Sequence, residues 1–419
     1  MGVIKICDAL MGSGKTESCI RYMNEHPEQK FLYITQYLPE AERIAASCPA
    51  LDFKFPSDKL QAFEFSKTKH CAHLLSHGEN IASTHQLFKL YTDDMLESAR
   101  ANHYTLMIDE VVDVFENAEI EPSDVNVLLR GGYIEETEHG YRVIDDDYEK
   151  GKFNDIFTML RHNQLVPVTY KSKISYYCWM MPKELLEAFD EVVVLTYMFD
   201  CQDFCYYMQM NDIQYRYIGV YKNEAGEYRF TEDLSYRPEY VKDLSQKITI
   251  VTRKSLNKVG DVRSSLSANW FKKKKAGQEE LKKDLYNFFN NECRGVGANR
   301  RLWGTYKAGK ERIKGKGYTG GYLVFNQKSS NAYRDKDKLA YCSNVFMSPE
   351  KKKWFIDKGI EVKEDRWAVS IMTQWIWRSA IRDGKEITIY VPSDRMRTLL
   401  KEWVDEVSAD ATMTTHDAA

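Results

Sequence analysis

Several features that would place a chain early are missing from this sequence. No apolar run reaches the ~18 residues of a membrane span, and the opening MGVIKICDAL turns polar too soon for a signal peptide. Both absences argue for a soluble, cytoplasmic chain with no membrane partner. Lys5-Ile6 stands where a myristoylation signal needs a hydroxyl-bearing neighbourhood, so Met1-Gly2 carries no such message. Lys plus Arg number 59 against 62 Asp plus Glu, a formal charge of -3, which excludes a uniformly basic coat and leaves room for a local basic channel. Nine cysteines cannot all pair, so a complete disulfide framework is excluded and buried thiols are expected. With 43% hydrophobic and 29% charged residues the chain is neither disordered nor fibrous. Its 419 residues suit about three units of roughly 150 residues, or two large domains with an insertion.

What is present begins with DALMGSGKTES at residues 8 to 18. Val3 to Cys7 alternates as a short strand, Gly12-Ser13-Gly14 can turn, and Thr16 to Met23 can continue as a helix. Strand, glycine turn and helix in that order are what a phosphate-binding loop requires. Ala9 occupies the place of the usual first glycine, which is tolerable if its backbone is ordinary. The glycines still let backbone N–H groups converge on phosphate oxygens. Ala9, Gly12, Ser13, Gly14, Lys15 and Thr16 would then hold a nucleotide, Lys15 reaching the terminal phosphates and Thr16 ligating magnesium. ATP and Mg2+ are the expected cofactors.

Further strands are expected at Phe31 to Thr35, followed by a helix from Glu40 to Ala46, at Asn80 to Ser83, and at Thr105 to Ile108. The last ends in Asp109-Glu110, where carboxylates would project from the C-terminal edge of a parallel sheet. Asp109 would hold magnesium and Glu110 would orient and activate water. A solvated acidic turn has the same local sequence, and it is the phosphate loop upstream that favours the catalytic role. Residues 113 to 190 are mixed and acidic, with Glu135-Glu136 and Asp145-Asp146-Asp147, and read as an insertion or elaboration that does not grip nucleic acid. Glu191 to Thr196 returns to a buried strand.

In the second half, strands are expected at Lys247 to Val251, Tyr322 to Phe325 and Glu386 to Val391, with a final helix opened by Pro392-Ser393. Lys272 to Lys275 next to Trp270-Phe271 can contact phosphates or form one face of a solvated helix. The glycines between Gly309 and Gly321 suggest a mobile or tightly turning loop, with Lys328 and Arg334 after it as nucleic acid contacts. Gln374, Arg378 and Arg382 form a late polar series, and arginines four apart share a face if the segment is helical. His70, Cys71, His73 and His77 match no strong zinc spacing, so a packed or solvent-facing helix is expected there.

Taken together, these segments resemble the superfamily 2 helicases and related nucleic acid translocases, along nearly the whole chain. Ala9 to Thr16 resembles their first motif, Asp109-Glu110 their Asp-Glu motif, and Leu195-Thr196 the motif linking hydrolysis to domain movement. Thr35 to Leu38 and Ser83 to Leu87 are similar to their early strand-contacting motifs, which puts Thr35, Gln36, Thr84 and His85 on nucleic acid. Gln374, Arg378 and Arg382 resemble the last motif, in which an arginine neutralises charge at the gamma phosphate. Trp377 and the four-residue arginine spacing depart from that motif and leave open which arginine acts. The resemblance implies an α/β protein of two RecA-like domains with an ATP site between them, residues 1–203 and 204–419. It implies a magnesium-dependent ATPase acting as helicase or translocase, of the kind encoded by bacteriophages and prophages, in the host cytoplasm. DNA is favoured over RNA as partner, with replication or recombination proteins beside it. A packaging ATPase of the terminase type lacks its clustered nuclease carboxylates here, and a nucleotide-gated scaffold is the non-motor alternative.

Overall fold

The computed structural model describes residues 3–137, 140–144, 151, 153–162, 164–170, 173–273, 276–327 and 332–416. Two compact units divide the chain. The first takes the chain up to Ala9, Gly14–Leu234 and Ser348–Val362, and the second takes Leu10–Ser13, Ser235–Met347 and the chain from Lys363. The first unit thus runs past residue 203 and also takes a segment from the second half.

Its main sheet is built from β1 (Ile4–Asp8), β2 (Lys30–Thr35), β3 (Ile81–Thr84) and β4 (Tyr104–Asp109), with later strands β10 (Glu191–Thr196), β11 (Tyr215–Lys222) and β12 (Tyr228–Thr231). The order is β12-β11-β1-β10-β4-β2-β3, and every pairing is parallel except β11 with β12. Parallel central strands are covered on both faces, which is why β2, β4 and β10 are nearly continuous apolar runs with almost every residue buried. The parallel pairing of β11 with β1 completes this sheet and carries the first unit on to Leu234.

Residues 113–190 form an elaboration with its own core. β5 (Phe115–Asn117), β8 (Leu165–Tyr170) and β9 (Lys173–Met180) make an antiparallel sheet in the order β5-β9-β8, and β6 (Ile134–Thr137) pairs with β7 (Gly140–Val143) as a hairpin. Val125, Leu128, Phe157, Leu160 and Tyr177 pack together beneath them. The helix Pro349–Asp357 belongs here as well. Trp354 lies 4.5 Å from Phe115 and Phe355 lies 5.2 Å from Tyr206, centroid to centroid, and Lys351 pairs with Asp203. Asp145–Asp147 lie outside the described residues.

The second unit holds a parallel sheet of β13 (Ile248–Ile250), β14 (Arg301–Gly304), β15 (Lys338–Tyr341) and β16 (Ile387–Tyr390), in the order β13-β16-β15-β14. Three expectations need correction. Tyr322 to Phe325 is not a strand: only a single bridge joins Tyr322 to Trp303. The glycine-rich stretch is a loop only in part: Lys307–Ile313 is helical, with Gly309 so close to the Phe271 ring that a Cβ would meet it at 2.6 Å, and residues 316–320 turn tightly as expected. The helix Glu364–Ile376 stops before the arginines, where Ser379 turns extended and its hydroxyl donates to the Ile376 carbonyl at 2.6 Å. Arg378 therefore sits in a turn and Arg382 in the 3-10 segment Ala380–Asp383, so they share no helical face. Among the described residues no helix is long and apolar enough to cross a membrane.

On the helix Ala276–Asn287, Asp284 faces inward beside Leu281 and Leu285, with one carboxylate oxygen buried and unpartnered among the described residues. Burial, seconded by Glu280 and opposed by Lys258, pushes Asp284 up to about 6. Between about pH 4 and 6 the folded chain then holds a proton that the unfolded chain releases, and that stabilisation is lost as pH rises. Asp284→Asn is expected to exceed the wild type in stability above pH 6 by about 1–2 kcal/mol and to lose the advantage towards pH 4, checked by urea unfolding across that range.

Candidate active site

The register of the first sheet brings its chemistry to one edge. Asp8 pairs with Thr196, Leu195 with Asp109, and Thr35 with Thr84, so the C-terminal ends of β1, β10, β4, β2 and β3 are aligned. From that edge the loop leaves β1. Ala9 donates its N–H to the Thr196 carbonyl at 3.2 Å, and Ser13 donates to Leu10 at 3.2 Å, closing the turn. Gly12 and Gly14 have φ of +79° and +93°, whereas Ala9 is not among the positive-φ residues. Alanine thus stands at a position that never needed glycine. The helix Lys15–Glu25 begins directly after Gly14, with Ser18, Cys19, Ile20 and Met23 on its buried side.

The Lys15 amino group donates to the Ala9 carbonyl, folding back over the loop. Burial holds Lys15 below its ordinary value, while Cys7, Asp8, Asp109 and Glu110 oppose that shift. Burial pushes Asp109 up to about 6, helped by Glu110 and opposed by the Tyr33 hydroxyl, which donates to its Oδ2 at 2.8 Å, and by Lys15. Glu110 adopts a left-handed φ of +64° and ties its N–H to the Leu195 carbonyl at 3.0 Å. A glutamate held there costs strain, and the neighbouring strand supports it. The Ser13 and Ser18 hydroxyls are buried without partners among the described residues. Loop amides, an orphaned hydroxyl, one ammonium and two adjacent carboxylates are a donor set that fits a nucleoside triphosphate with magnesium.

Two residues of this edge were missed in the sequence. Asp8 accepts N–H bonds from Met198 at 2.7 Å and Phe199 at 2.9 Å, so its carboxylate holds the chain leaving β10. It lies inside the loop motif, but as an acid it gave no phosphate-binding signal. Tyr33 looked like one more apolar residue of β2, and only the register shows its hydroxyl facing Asp109.

The remaining site residues divide. Thr35 and His85 are buried, and the Thr84 hydroxyl accepts the Leu87 N–H at 3.4 Å as cap of the helix His85–Phe88. Gln36 is half-buried at the same edge. Arg334 pairs with Asp383, its Nε 3.0 Å from Oδ1. Gln374 and Arg378 are half-buried and Arg382 is exposed, all in the second unit. Lys328, Lys274 and Lys275 lie outside the described residues, and Lys272 is exposed at the end of the helix Ala268–Lys272. The histidine group sits on the helix Lys67–Ser76 and its end, where Phe63 stacks on His70 at 4.6 Å and His73 approaches His77 at 4.0 Å. Among the described residues, no group of three or more His, Cys, Asp or Glu gathers to hold a metal. All nine cysteines are buried and none forms a disulfide.

The model of the YonV C-terminal Rossmann-like domain matches residues 242–404. Over 407 residues, 96% of this chain and 98% of the other, the sequence is 34% identical to the SPbeta prophage-derived uncharacterized protein YonV of Bacillus subtilis (strain 168). The chain belongs to the YonV family. Among solved structures, this YonV-family fold is similar to apo XPD, with a TM-score of 0.50 at 13% identity over 95% of each chain. Xpd4 of S. tokodaii gives 0.47 at 12% identity over 96% of this chain and 94% of that one. At this identity the likeness is one of fold alone.

The Asp8 carboxylate supplies two acceptors that a methyl group cannot replace. Asp8→Ala is expected to destabilise the first unit by about 3 kcal/mol. Hydrogen exchange should quicken first at the Met198 and Phe199 amides, with β13 to β16 unaffected.

Proposed function

We propose that this protein is a magnesium-dependent ATPase that moves along or separates nucleic acid strands, DNA in preference to RNA, in phage replication or recombination within the bacterial cytoplasm. The observation that carries the reading is the alignment of the Gly14-Lys15-Thr16 helix start with Asp109-Glu110 on one edge of a parallel sheet. The XPD-like fold and the prophage relative support it.

In this reading, ATP with magnesium supplies the bond to be broken and the cation that screens its phosphates. The Gly12 to Thr16 backbone would wrap the phosphates, Lys15 would balance their charge, and the Thr16 hydroxyl and Asp109 would hold the cation. Glu110, fixed through its own N–H, would orient a water and take its proton. Gln374 would face the nucleotide, and Arg378 or Arg382 would meet the charge developing at the terminal phosphate, two RecA-like domains sharing the site. Arg378 is the better candidate for a fixed contact because it is half-buried, and Arg382 for a contact made only on closure because it is exposed. Thr35, Gln36, Thr84 and His85 would line the strand path. Arg334 would join them only by exchanging Asp383 for a phosphate. Alternating grip coupled to hydrolysis would give translocation.

Purified protein is expected to hydrolyse ATP several-fold faster with single-stranded nucleic acid, and Lys15→Ala and Glu110→Gln to abolish turnover. A panel of single-stranded DNA, forked DNA and RNA checks this. Equal, negligible turnover with every one of them would sink the motor reading.

The arginines can be separated in the same assay. The one that meets the terminal phosphate is expected to lower kcat by about 10³-fold on replacement by alanine, with little change in ATP affinity.

A further inference from the structure

The residues assigned to the phosphates, the cation and the strand path leave the base of the nucleotide without a reader. Within the first unit the β11–β12 hairpin lies against Gly14, where the loop passes into its helix. Its turn is drawn tight by Asn223, whose Oδ1 accepts the Glu227 N–H at 2.8 Å, with Gly226 at a φ of +80°. From that turn β12 runs along the helix Lys15–Glu25, and Tyr228 packs against Gly14, where a Cβ would strike its ring at 2.1 Å. Ion pairs lock the two elements together: Arg21 with Glu227 at 2.7 Å, and Arg229 with Glu25 at 2.7 Å.

Beside this contact is a cavity of ≈ 450 Å³ lined by Glu17, Arg21, Asn24, Glu227 and Tyr228 among others. That volume suits a small organic ligand. Glu17, Glu25 and Glu227 line it together with the guanidinium of Arg21, and Arg229 pairs with Glu25 and Glu227 from beside it. Carboxylates paired in this way keep lone pairs that accept hydroxyl hydrogens. An aromatic ring, a planar guanidinium and a carboxamide are the groups that hold a flat heterocycle by contact and hydrogen bonding. The cavity starts where the loop ends, since Gly14 touches Tyr228 and Glu17 opens the same helix.

We propose that the cleft between the β11–β12 hairpin and the helix Lys15–Glu25 receives the nucleoside end of the nucleotide, its base walled by Tyr228 and Arg21 and its ribose hydroxyls turned towards the carboxylates. The inference rests on the phosphate-loop reading and adds a specificity site that the strand-contact and catalytic residues do not supply. The hairpin completes the nucleotide site from the far end of the first sheet, a place that motif spacing does not reach.

Calorimetric titration of the full chain with ATP and, separately, with inorganic tripolyphosphate tests it. Tyr228→Ala is expected to weaken ATP about tenfold and leave tripolyphosphate unchanged, with Tyr228→Phe close to wild type. Should Tyr228→Ala fold poorly, Arg21→Met reports on the same wall and is expected to weaken ATP several-fold, again without affecting tripolyphosphate. Equal losses for both ligands would make Tyr228 a support for the loop and overturn the proposal, as would ATP binding unchanged in both variants. If wild-type protein binds neither ligand, the phosphate-loop reading itself fails and takes this inference with it.

Discussion

The main-chain bonds that tie the ends of β1, β4 and β10 together are what the candidate site depends on. Ala9 reaches across to Thr196 and Glu110 to Leu195, and the Asp8 carboxylate gathers the two amides that follow. In a parallel sheet buried on both faces, a slip of one residue would send every side chain to the opposite face. The strand ends are therefore fixed relative to one another before any ligand arrives. Only with that registration can a loop leaving β1 and two acids leaving β4 serve one reaction. The left-handed Glu110 is the local cost of it, since ordinary backbone there would carry its carboxylate along a different course.

Charge at this edge follows from the same constraint. Lys15 stands among Asp8, Asp109 and Glu110, one ammonium to three carboxylates. Asp8 has its acceptors filled by backbone, and Tyr33 gives Asp109 a neutral donor, but burial still pushes Asp109 up to about 6. Desolvating adjacent acids without matching positive charge is unfavourable, and a bound divalent cation offsets that cost most directly. In the proposed function the same acids would repel a polyphosphate arriving without its cation, so the two would bind cooperatively.

Much of this was legible in the chain. β1 to β4 and β10 are apolar runs ending in polar residues, a pattern that a doubly covered parallel sheet forces on a sequence, so their positions and the chemistry at their ends could be read together. β11 was not, because YRYIGVYK alternates aromatic and charged residues and gains its meaning from pairing with β1, more than 200 residues away in the chain. The elaboration was seen as an insertion but not as a folded layer, since its core residues are dispersed among acids and meet only in three dimensions. The arginine series was legible as residues and misread as geometry. Helical spacing holds only while the helix lasts, and Ser379 ends it one turn early.

The elaboration also bears on what supports the acids. β5 begins five residues after Glu110, and its Phe115 packs under Trp354 and Phe355 of a helix drawn from the far half of the chain. The backbone passes from one unit to the other at Ala9–Leu10, Ser13–Gly14, Leu234–Ser235, Met347–Ser348 and Val362–Lys363, so this helix is tethered at both ends to the second unit while its aromatic face is committed to the first. Buried aromatic contacts of this kind resist sliding because they have few alternative packings of equal energy. Phe115 is joined to Glu110 by a short span that includes buried Val112 and Val114. A glutamate held in a strained backbone conformation depends on that packing, because small changes in its supporting bonds alter the direction of its carboxylate.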